Sequence, residues 1–185
     1  MGRILGLNAG KIIQAKGGLR MSTTREALIR ESEAALRRGS TPETVKEVLL
    51  RILEAFDCEL GTVHRYNEET RNLELVAHKG LPESLLDKVS TIPIGKGMAG
   101  LAAERREAVQ VCNLQTDESG VAKIGARDTR MEGCISLPML VDGELRGTLG
   151  VAKPTTYEFN EAERGQLLEL GAVLGRYLSA ASAAG

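Results

Sequence analysis

The chain has 185 residues, a length typical of one domain with some flanking helix. Its net charge of -1 and its 3% of aromatic residues provide neither the basic surface nor the stacking rings that nucleic-acid binding needs. They equally argue against an anionic membrane surface, and no apolar run approaches the roughly 20 residues of a membrane span. The three cysteines are widely spaced and form no zinc motif, which predicts reduced thiols in a cytoplasmic protein without a metal site.

The N-terminal part contains one predicted helix. Residues 1–20 are rich in Gly and Lys without a period, which predicts a mobile arm, or a segment upstream of a true start at Met21. Residues 21–39 are predicted to be helical, with Thr23 and Glu26 forming a capping box at its start. The apolar stripe of this helix is thin, which is typical of packing on a surface or on another subunit. We therefore expect it to be a dimer contact.

A stronger helix and two strands follow. Apolar residues recur at i, i+3, i+4 and i+7 from Pro42 to Phe56, which predicts a core helix capped by Thr41. Two alternating segments, 60–66 and 73–78, predict strands on either side of a polar turn. A short helix is expected next, over about 83–89.

The stretch from Ile92 to Gly100 contains the letters GxGxxG. A dinucleotide-binding fold would need a buried strand before this motif and a long crossover after it. Here the preceding strand is three residues long and contains Pro93, and a new strand is predicted already at 108–112. The glycines instead predict a helix that starts tightly against the sheet, with free N–H groups facing a cavity.

Residues 113–133 form a long connection without a strong period. Connections of this length inside a compact domain are often lids or binding segments. The segment carries Lys123, Arg127 and Arg130. Two interpretations stay open: a solvated loop, or a cover over a ligand whose anionic group meets these cations.

The clearest local signal is a hairpin over 134–152, with a two-residue Asp-Gly turn at 142–143. Pairing outward from the turn places Ser136 opposite Leu149. Pro138 cannot donate to the ladder, so we expect an edge position or a bulge there. Neither face of the hairpin is plainly polar, which predicts that both faces of the sheet are covered.

The last helix is predicted to begin at Asn160, with Glu163 completing a capping box, and to end near Leu178. The tail 179–185 is expected to be flexible. Strands that run together with helices at both ends predict an α+β fold with a mainly antiparallel sheet. The terminal helices can cover one face of the sheet, and segment 83–133 can cover the other and enclose a pocket.

These elements together resemble a GAF domain over about residues 41–178. Five matching stretches carry the resemblance: the helix from Pro42, Thr62–Tyr66, Ile92–Gly100, Ser136–Val151 and Phe159–Arg164. It implies a GAF-like (PAS-like) fold with a central antiparallel sheet, terminal helices on one face and a loop- and helix-covered pocket on the other. The resemblance further implies the sensing of a small molecule, a homodimer formed through the terminal helices, and output through a separate partner protein.

Two activities of the family disagree with the residues. Members that bind cyclic nucleotides carry an Asn-Lys…Phe…Asp-Glu signature, whereas this chain has Ala152-Lys153, Phe159 and Glu163-Arg164. The asparagine is missing and the final acid is a base, which argues against that ligand. Members that bind bilins attach the chromophore through a cysteine near a histidine, and the sequence contains no such pair.

A third activity of the family is the reduction of free methionine-(R)-sulfoxide. Those enzymes use cysteines just before the Ile-Pro strand, inside the glycine run and in the long loop. The corresponding places here hold Val89, Met98 and a cysteine-free segment 113–133. Because a thiolate is the nucleophile in that chemistry, the resemblance predicts a protein that is not an enzyme and has no catalytic residues.

Six side chains are candidate ligand contacts around the expected pocket: His64, Met98, Cys112, Arg127, Arg130 and Cys134. Each has a plainer interpretation as well: a core cysteine, a hydrogen-bonded histidine, a core methionine or a solvated arginine.

Three functions follow from these observations. A ligand sensor leads, because the long connection and the doubly apolar sheet both predict a covered cavity. The alternatives are an assembly module without a ligand, and a thiol-based redox sensor or enzyme that uses Cys112 and Cys134. The sequence names neither the ligand nor the partner.

Overall fold

A computed structural model describes residues 15–119 and 127–182, of which 15–24 and 179–182 are described as helical backbone. The described helices are α1 (Ala15–Arg37), α2 (Pro42–Ala55), α3 (Glu83–Ser90), α4 (Gly97–Arg105) and α5 (Glu161–Ser182). The described strands are β1 (Leu60–Asn67), β2 (Asn72–Lys79), β3 (Thr91–Pro93), β4 (Val109–Val111), β5 (Gly133–Val141) and β6 (Glu144–Lys153). None of the helices in these ranges is long and apolar enough to span a membrane.

The six strands form one antiparallel sheet in the order β3-β2-β1-β6-β5-β4. The first and last long strands, β1 and β6, pair at its centre, so residues far apart in sequence meet there. Helices lie on both faces of this sheet, and the expected α+β architecture is confirmed.

One face of the sheet packs against α2 and α5, with α1 packed on these two helices, and we call it the helix-covered face. The sheet residues that point into this layer include Val63, Ile135, Leu137, Leu149 and Val151. The apolar positions predicted for α2 are all buried against them, namely Val45, Val48, Leu49, Ile52, Leu53 and Phe56. Burial of side chains of this size stabilises a fold by roughly 1.5–3 kcal/mol each, so this layer is the main core.

The first helix differs from its predicted form. It begins at Ala15, so Thr23 lies inside the helix and the predicted capping box is wrong. Residues 15–20, predicted as part of a mobile arm, belong to the helix. The remainder of that arm, 1–14, and the end of the predicted tail, 183–185, lie outside the described residues.

The thin apolar stripe of α1 is used within the chain. Leu28, Ala35 and Leu36 are buried in the same cluster as the apolar residues of α2 and α5. Ion pairs between Arg25 and Glu169, and from Arg176 to Glu33, accompany this packing on the surface. The stripe therefore needs no second subunit to bury it, and dimerisation through this helix stays a prediction.

The hairpin has the predicted turn but a different register. Asp142 and Gly143 have φ of 52° and 79°, as a two-residue turn of this kind requires. Met139 pairs with Gly147 and Leu140 with Leu145, which leaves Arg146 as an extra residue in β6. A Cβ atom at residue 147 would collide with the His64 carbonyl oxygen of β1, so glycine is required at this close approach.

The bulge changes which residues share a face. Ser136 lies opposite Gly150, not opposite Leu149 as the uninterrupted pairing predicts. The predicted irregularity near Pro138 is present, one residue closer to the turn, between Met139 and Leu140. As a result Gly150 and Ala152 of β6 face away from the helix-covered side at the cavity, while Leu145, closer to the turn, packs on that same side against Leu73 and Ala103.

Candidate functional site

The other face of the sheet is covered less completely and encloses a cavity of about 490 Å³. We call this side the cavity face. Volumes of this order are typical of sites for small organic molecules. The residues that line the cavity are Leu60, Leu81, Leu85, Lys88, Val89, Thr91, Ile92, Pro93, Lys96, Gly97, Met98, Ala99, Leu114, Thr129, Cys134, Ser136 and Ala152.

The floor of the cavity consists of short rows across β1, β6 and β5. One row is Leu60, Ala152 and Cys134, which pair across the three strands. The next row on the same face is Thr62, Gly150 and Ser136. The central residues of the two rows are alanine and glycine, which fill little of the space between the sheet and the roof.

The roof is formed mainly by α3, β3 and the start of α4. Leu85 and Val89 contribute from α3, and Ile92 from β3. Among the described residues of the 113–133 connection, Leu114 and Thr129 reach the cavity. The expected pocket is present, but it lies under the 85–99 segment more than under the long connection.

The glycine run places α4 close to the sheet. A Cβ atom at Gly100 would lie 2.5 Å from the Pro93 carbonyl oxygen, so this approach requires glycine. Lys96 precedes the first turn without a side-chain cap. The backbone N–H groups of the next three residues, Gly97, Met98 and Ala99, have no acceptor in the described part of the chain, and all three residues line the cavity. This is the arrangement that the glycine pattern predicts.

Two lysines flank the opening of the cavity. Lys88 lies near the end of α3 and Lys96 directly before α4, and both are exposed. Neither takes part in an ion pair within the ranges that the structure describes. Because Lys96 directly precedes the N–H groups at the start of α4, this part of the cavity favours an anionic group.

His64 of β1 forms a hydrogen bond with Val89, a residue that lines the cavity. Its Nε2 lies 2.9 Å from the Val89 carbonyl oxygen, which can only accept, so Nε2 carries the proton. Burial lowers the pKa of His64, although the hydrogen bond to Val89 opposes this shift, and the ring is therefore neutral near pH 7. Its other nitrogen, Nδ1, is buried and has no partner among the described residues.

The six predicted site residues are only partly brought together. Met98 and Cys134 line the cavity, and His64 contacts the lining residue Val89. Cys112, Arg127 and Arg130 are exposed and are not among the lining residues. Arg127 instead donates to the Asp117 carbonyl oxygen at 2.8 Å within its own connection, and Lys123 lies outside the described residues.

The buried thiols are poor nucleophiles. Burial raises the pKa of Cys134 to about 12 and that of Cys58 to about 12, so both stay protonated near neutral pH. In the described ranges, no three His, Cys, Asp or Glu side chains form a group that could hold a metal ion.

Several residues of the site were missed by the sequence analysis. Lys88, Lys96, Thr62 and Ser136 were not singled out, although the two hydroxyl residues interrupt apolar strands at alternate positions. That interruption is the signal that the sequence offers. Whether the two hydroxyl groups face each other across Gly150 depends on the register, which the bulge in β6 determines.

Residues 39–179 match the sequence profile of the GAF domain family, and the chain belongs to that family. GAF domains generally serve as regulatory or sensor domains. No relative is found among curated proteins.

Solved structures with the same fold include two GAF domains of phosphoenolpyruvate-protein phosphotransferases. The domain from Acinetobacter is 19% identical, with a TM-score of 0.72 over 88% of this chain and 96% of that one. The domain from Coxiella burnetii is 20% identical, with a TM-score of 0.73 over 86% and 95%. Free methionine-R-sulfoxide reductase from Neisseria meningitidis, in complex with its substrate, is 18% identical, with a TM-score of 0.69 over 87% and 92%.

Proposed function

We propose that this GAF domain is a cytoplasmic sensor of a small organic anion with an aliphatic body. In this proposal it acts as a homodimer and signals through a separate partner protein. The single observation that carries the ligand proposal is the cavity of about 490 Å³, which is walled by aliphatic side chains and has cations at its opening.

The walls favour an alkyl body. Leu60, Leu81, Leu85, Ile92 and Leu114 line the cavity from the floor, from α3, from β3 and from the long connection. Transfer of each CH₂ group from water to such a surface contributes about 0.8 kcal/mol to binding. A chain of several carbons therefore gains enough free energy to be held by a cavity of this size.

The opening favours a negative charge on that body. The unpaired N–H groups at the start of α4 can donate to a carboxylate, and Lys96 and Lys88 stand beside them. A helix N-terminus stabilises an anion by typically 0.3–1 kcal/mol, and nearby ammonium groups add to this. The anion stays near solvent, so its desolvation cost is limited.

An enzymatic function has less support. A methionine sulfoxide reductase is among the structures with this fold, but at 18% identity that likeness concerns the fold alone. Val89 and Met98 occupy two of the positions at which the reductases of this family carry cysteines. Burial keeps the thiol of Cys134, which lines the cavity, protonated. We therefore propose a binding function without a reaction.

The homodimer rests on a separate observation. Leu50 of α2 and Leu168 of α5 are the exposed large hydrophobic side chains of the described residues, at 42% and 37% exposure. Both lie on helices that cover the face opposite the cavity. A contact there leaves the cavity open, so dimerisation and ligand binding are compatible.

Thermal unfolding with and without straight-chain carboxylates of four to ten carbons tests the ligand proposal. We expect a saturable rise in Tm, which corresponds to about 2.7 kcal/mol at a hundredfold excess over Kd. Alcohols of the same length should stabilise less, because they do not engage the cations at the opening.

Two variants make this test specific. Ala99→Leu, inside the cavity wall, should abolish the stabilisation, and Lys96→Met should weaken it for carboxylates but not for alcohols. Lys79→Met, an exposed charge at the end of β2, serves as the matched control and should bind like the unmodified chain. The absence of any saturable shift with carboxylates at millimolar concentration would contradict the sensor proposal.

A further inference from the structure

The sheet carries a row of polar side chains on its cavity face, and Ser136 at one end of this row lines the cavity itself. His78, Thr62, Gly150 and Ser136 pair successively across β2, β1, β6 and β5. Residues paired in this way point to the same side of an antiparallel sheet, so all four face the cavity side. The row is unexpected on packing grounds, because a wall that serves only as core would be apolar throughout.

The polar atoms of this row lack partners. Ser136 is 6% exposed, lines the cavity, and its hydroxyl makes no hydrogen bond in the described part of the chain. The same holds for the Thr62 hydroxyl, and the Nδ1 atom of His78 is buried without a partner. Fully buried polar atoms are nearly always hydrogen-bonded, so the His78 Nδ1 atom needs an explanation. The hydroxyls of Ser136 and of the half-buried Thr62 stay available to a group from outside the chain.

Glycine at the centre of the row leaves a notch. A Cβ atom at Gly150 would lie 2.8 Å from Thr62 Oγ1 and 3.6 Å from Ser136 Oγ. The next nearest atom, at 3.9 Å, is the Ile135 carbonyl oxygen of the sheet itself, so the roof does not press on this point. An atom placed over Gly150 thus has two hydroxyl groups within reach, and its three nearest neighbours all belong to the sheet.

The notch favours an uncharged hydrogen-bonding group. Thr62 and Ser136 can each donate and accept, and the Nδ1 atom of His78 lies in the same row. No charged side chain belongs to the row, and the lysines stand at the opening of the cavity. An ionised group over Gly150 would have no counter-charge beside it, whereas a hydroxyl or carbonyl could pair with the row directly.

We infer that the ligand carries a hydroxyl or carbonyl group at its buried end, bound over Gly150 by the hydroxyls of Thr62 and Ser136. This inference rests on the proposed function and specifies it. The ligand class becomes a bifunctional molecule, with an anion at the opening, an aliphatic body along the cavity, and a neutral polar group on the floor.

Paired probes test the inference. Binding of ω-hydroxyalkanoates from 4-hydroxybutanoate to 8-hydroxyoctanoate is compared by calorimetry with n-alkanoates of equal heavy-atom number. At the length that spans the cavity, the hydroxy acid should bind about tenfold more tightly, the gain expected from well-made hydrogen bonds at a buried site. At shorter lengths the preference should vanish, because the hydroxyl does not reach the floor.

Variants locate the effect. Ser136→Ala and Thr62→Val should each reduce the preference, and the double variant should remove it while alkanoate binding persists. Ser84→Ala, a hydroxyl on the exposed side of α3, is the matched control and should keep the preference. Amide NMR signals of Gly150 and Ser136 should shift with the hydroxy acid and much less with the alkanoate, which gives a second measurement if a variant folds poorly.

The possible failures are distinguishable. If alkanoates bind but the hydroxyl confers no gain at any length, or if the preference survives in the double variant, the inference is wrong and the proposed function stands. If neither series binds saturably, the proposed function itself fails and this inference falls with it.

Discussion

The two faces of the sheet are built from the same six strands but differ in how they are covered. On the helix-covered face, three long helices bury a continuous apolar cluster, in which Ile135, Leu137, Leu149 and Val151 are fully buried. On the cavity face, short helices and irregular chain leave a space of about 490 Å³. Long helices give continuous packing, while α3 and α4 are too short to do so.

Buried polar groups occur on both faces. On the helix-covered face Lys153 donates to the Phe56 and Asp57 carbonyl oxygens. Among the described residues, buried side-chain atoms without partners belong to His64, His78 and Thr148 on the cavity face, and to Ser32 and Arg146 on the side of the helices. The difference in apolar packing therefore indicates that one face provides most of the stability, and that the other leaves room for a site.

Truncation of a large side chain on each face gives the largest expected effect. Leu149→Ala, on the helix-covered face, should lower the free energy of unfolding by about 2–5 kcal/mol, since it leaves a cavity in close packing. Leu85→Ala, on the wall of the existing cavity, should cost no more than about half of this, because that side chain already lacks neighbours on one side. Urea unfolding measures both. Equal costs would contradict the division between the faces.

The buried cation gives the next largest effect. Lys153 also lies 4.5 Å from the centre of the Tyr157 ring, so its ammonium group is satisfied on several sides. Lys153→Met removes charged hydrogen bonds and should destabilise the fold by about 1.5–3 kcal/mol. Lys79→Met, at an exposed position, should change the stability by less than about 0.5 kcal/mol.

A smaller effect is expected from His64 and depends on pH. Its pKa is lower in the folded protein than in the unfolded chain, because burial disfavours the charged ring. The unfolded chain therefore binds protons first, and the stability should fall as the pH drops below about 6.5, the ordinary pKa of histidine.

A glutamine at position 64 isolates this contribution. His64→Gln keeps a donor for the Val89 carbonyl oxygen but does not titrate, so the loss of stability between neutral pH and about pH 5 should be shallower. The hydrogen bond from Arg65 lowers the pKa of Glu74 in the folded protein. The stability that this carboxylate contributes should therefore be lost in both proteins only below about pH 4.3. Identical profiles down to pH 5 would show that His64 does not titrate on unfolding in this way.

The smallest expected effect on stability comes from a comparison of the reactivity of two thiols, one exposed and one lining the cavity. Cys112 is exposed, whereas burial raises the pKa of Cys134 to about 12. Iodoacetamide at pH 7.5 should label Cys112 rapidly and Cys134 slowly, and Cys112→Ser should remove the rapid phase. Rapid labelling of Cys134 in that variant would revive a redox function at the cavity.

The predictions from sequence succeeded where a local pattern was strong. The apolar period predicts α2 and the Asp-Gly pair predicts the turn, and both are observed. The capping box at Asn160 and Glu163 is present as well. The Glu163 N–H donates to Asn160 Oδ1 at 3.0 Å, and the Asn160 N–H donates to Glu163 Oε2 at 2.9 Å. In each case the signal lies in residues close together in sequence, so no distant partner has to be known to predict the element.

The predictions failed where a distant contact decides the outcome. The register of β5 and β6 depends on the bulge at Arg146, which accommodates the close approach of β1 at residue 147. The charged loop residues Arg127 and Arg130 were chosen for their chemistry, but they do not line the cavity. Lysines on α3 and before α4 stand at the opening, and nothing in the local sequence marks them.

The amino-acid pattern alone established the α+β class, the helices and strands of the core, and a sheet covered on both faces, because period, caps and turns are local properties. Only the tertiary structure decided which residues of β6 face the cavity, where the roof lies, and that Thr62 and Ser136 flank Gly150. Those facts depend on the pairing of β1 with a hairpin that is remote from it in sequence, and on a single extra residue in that hairpin. The effect of that residue on the side-chain alternation is visible only once the strands are paired.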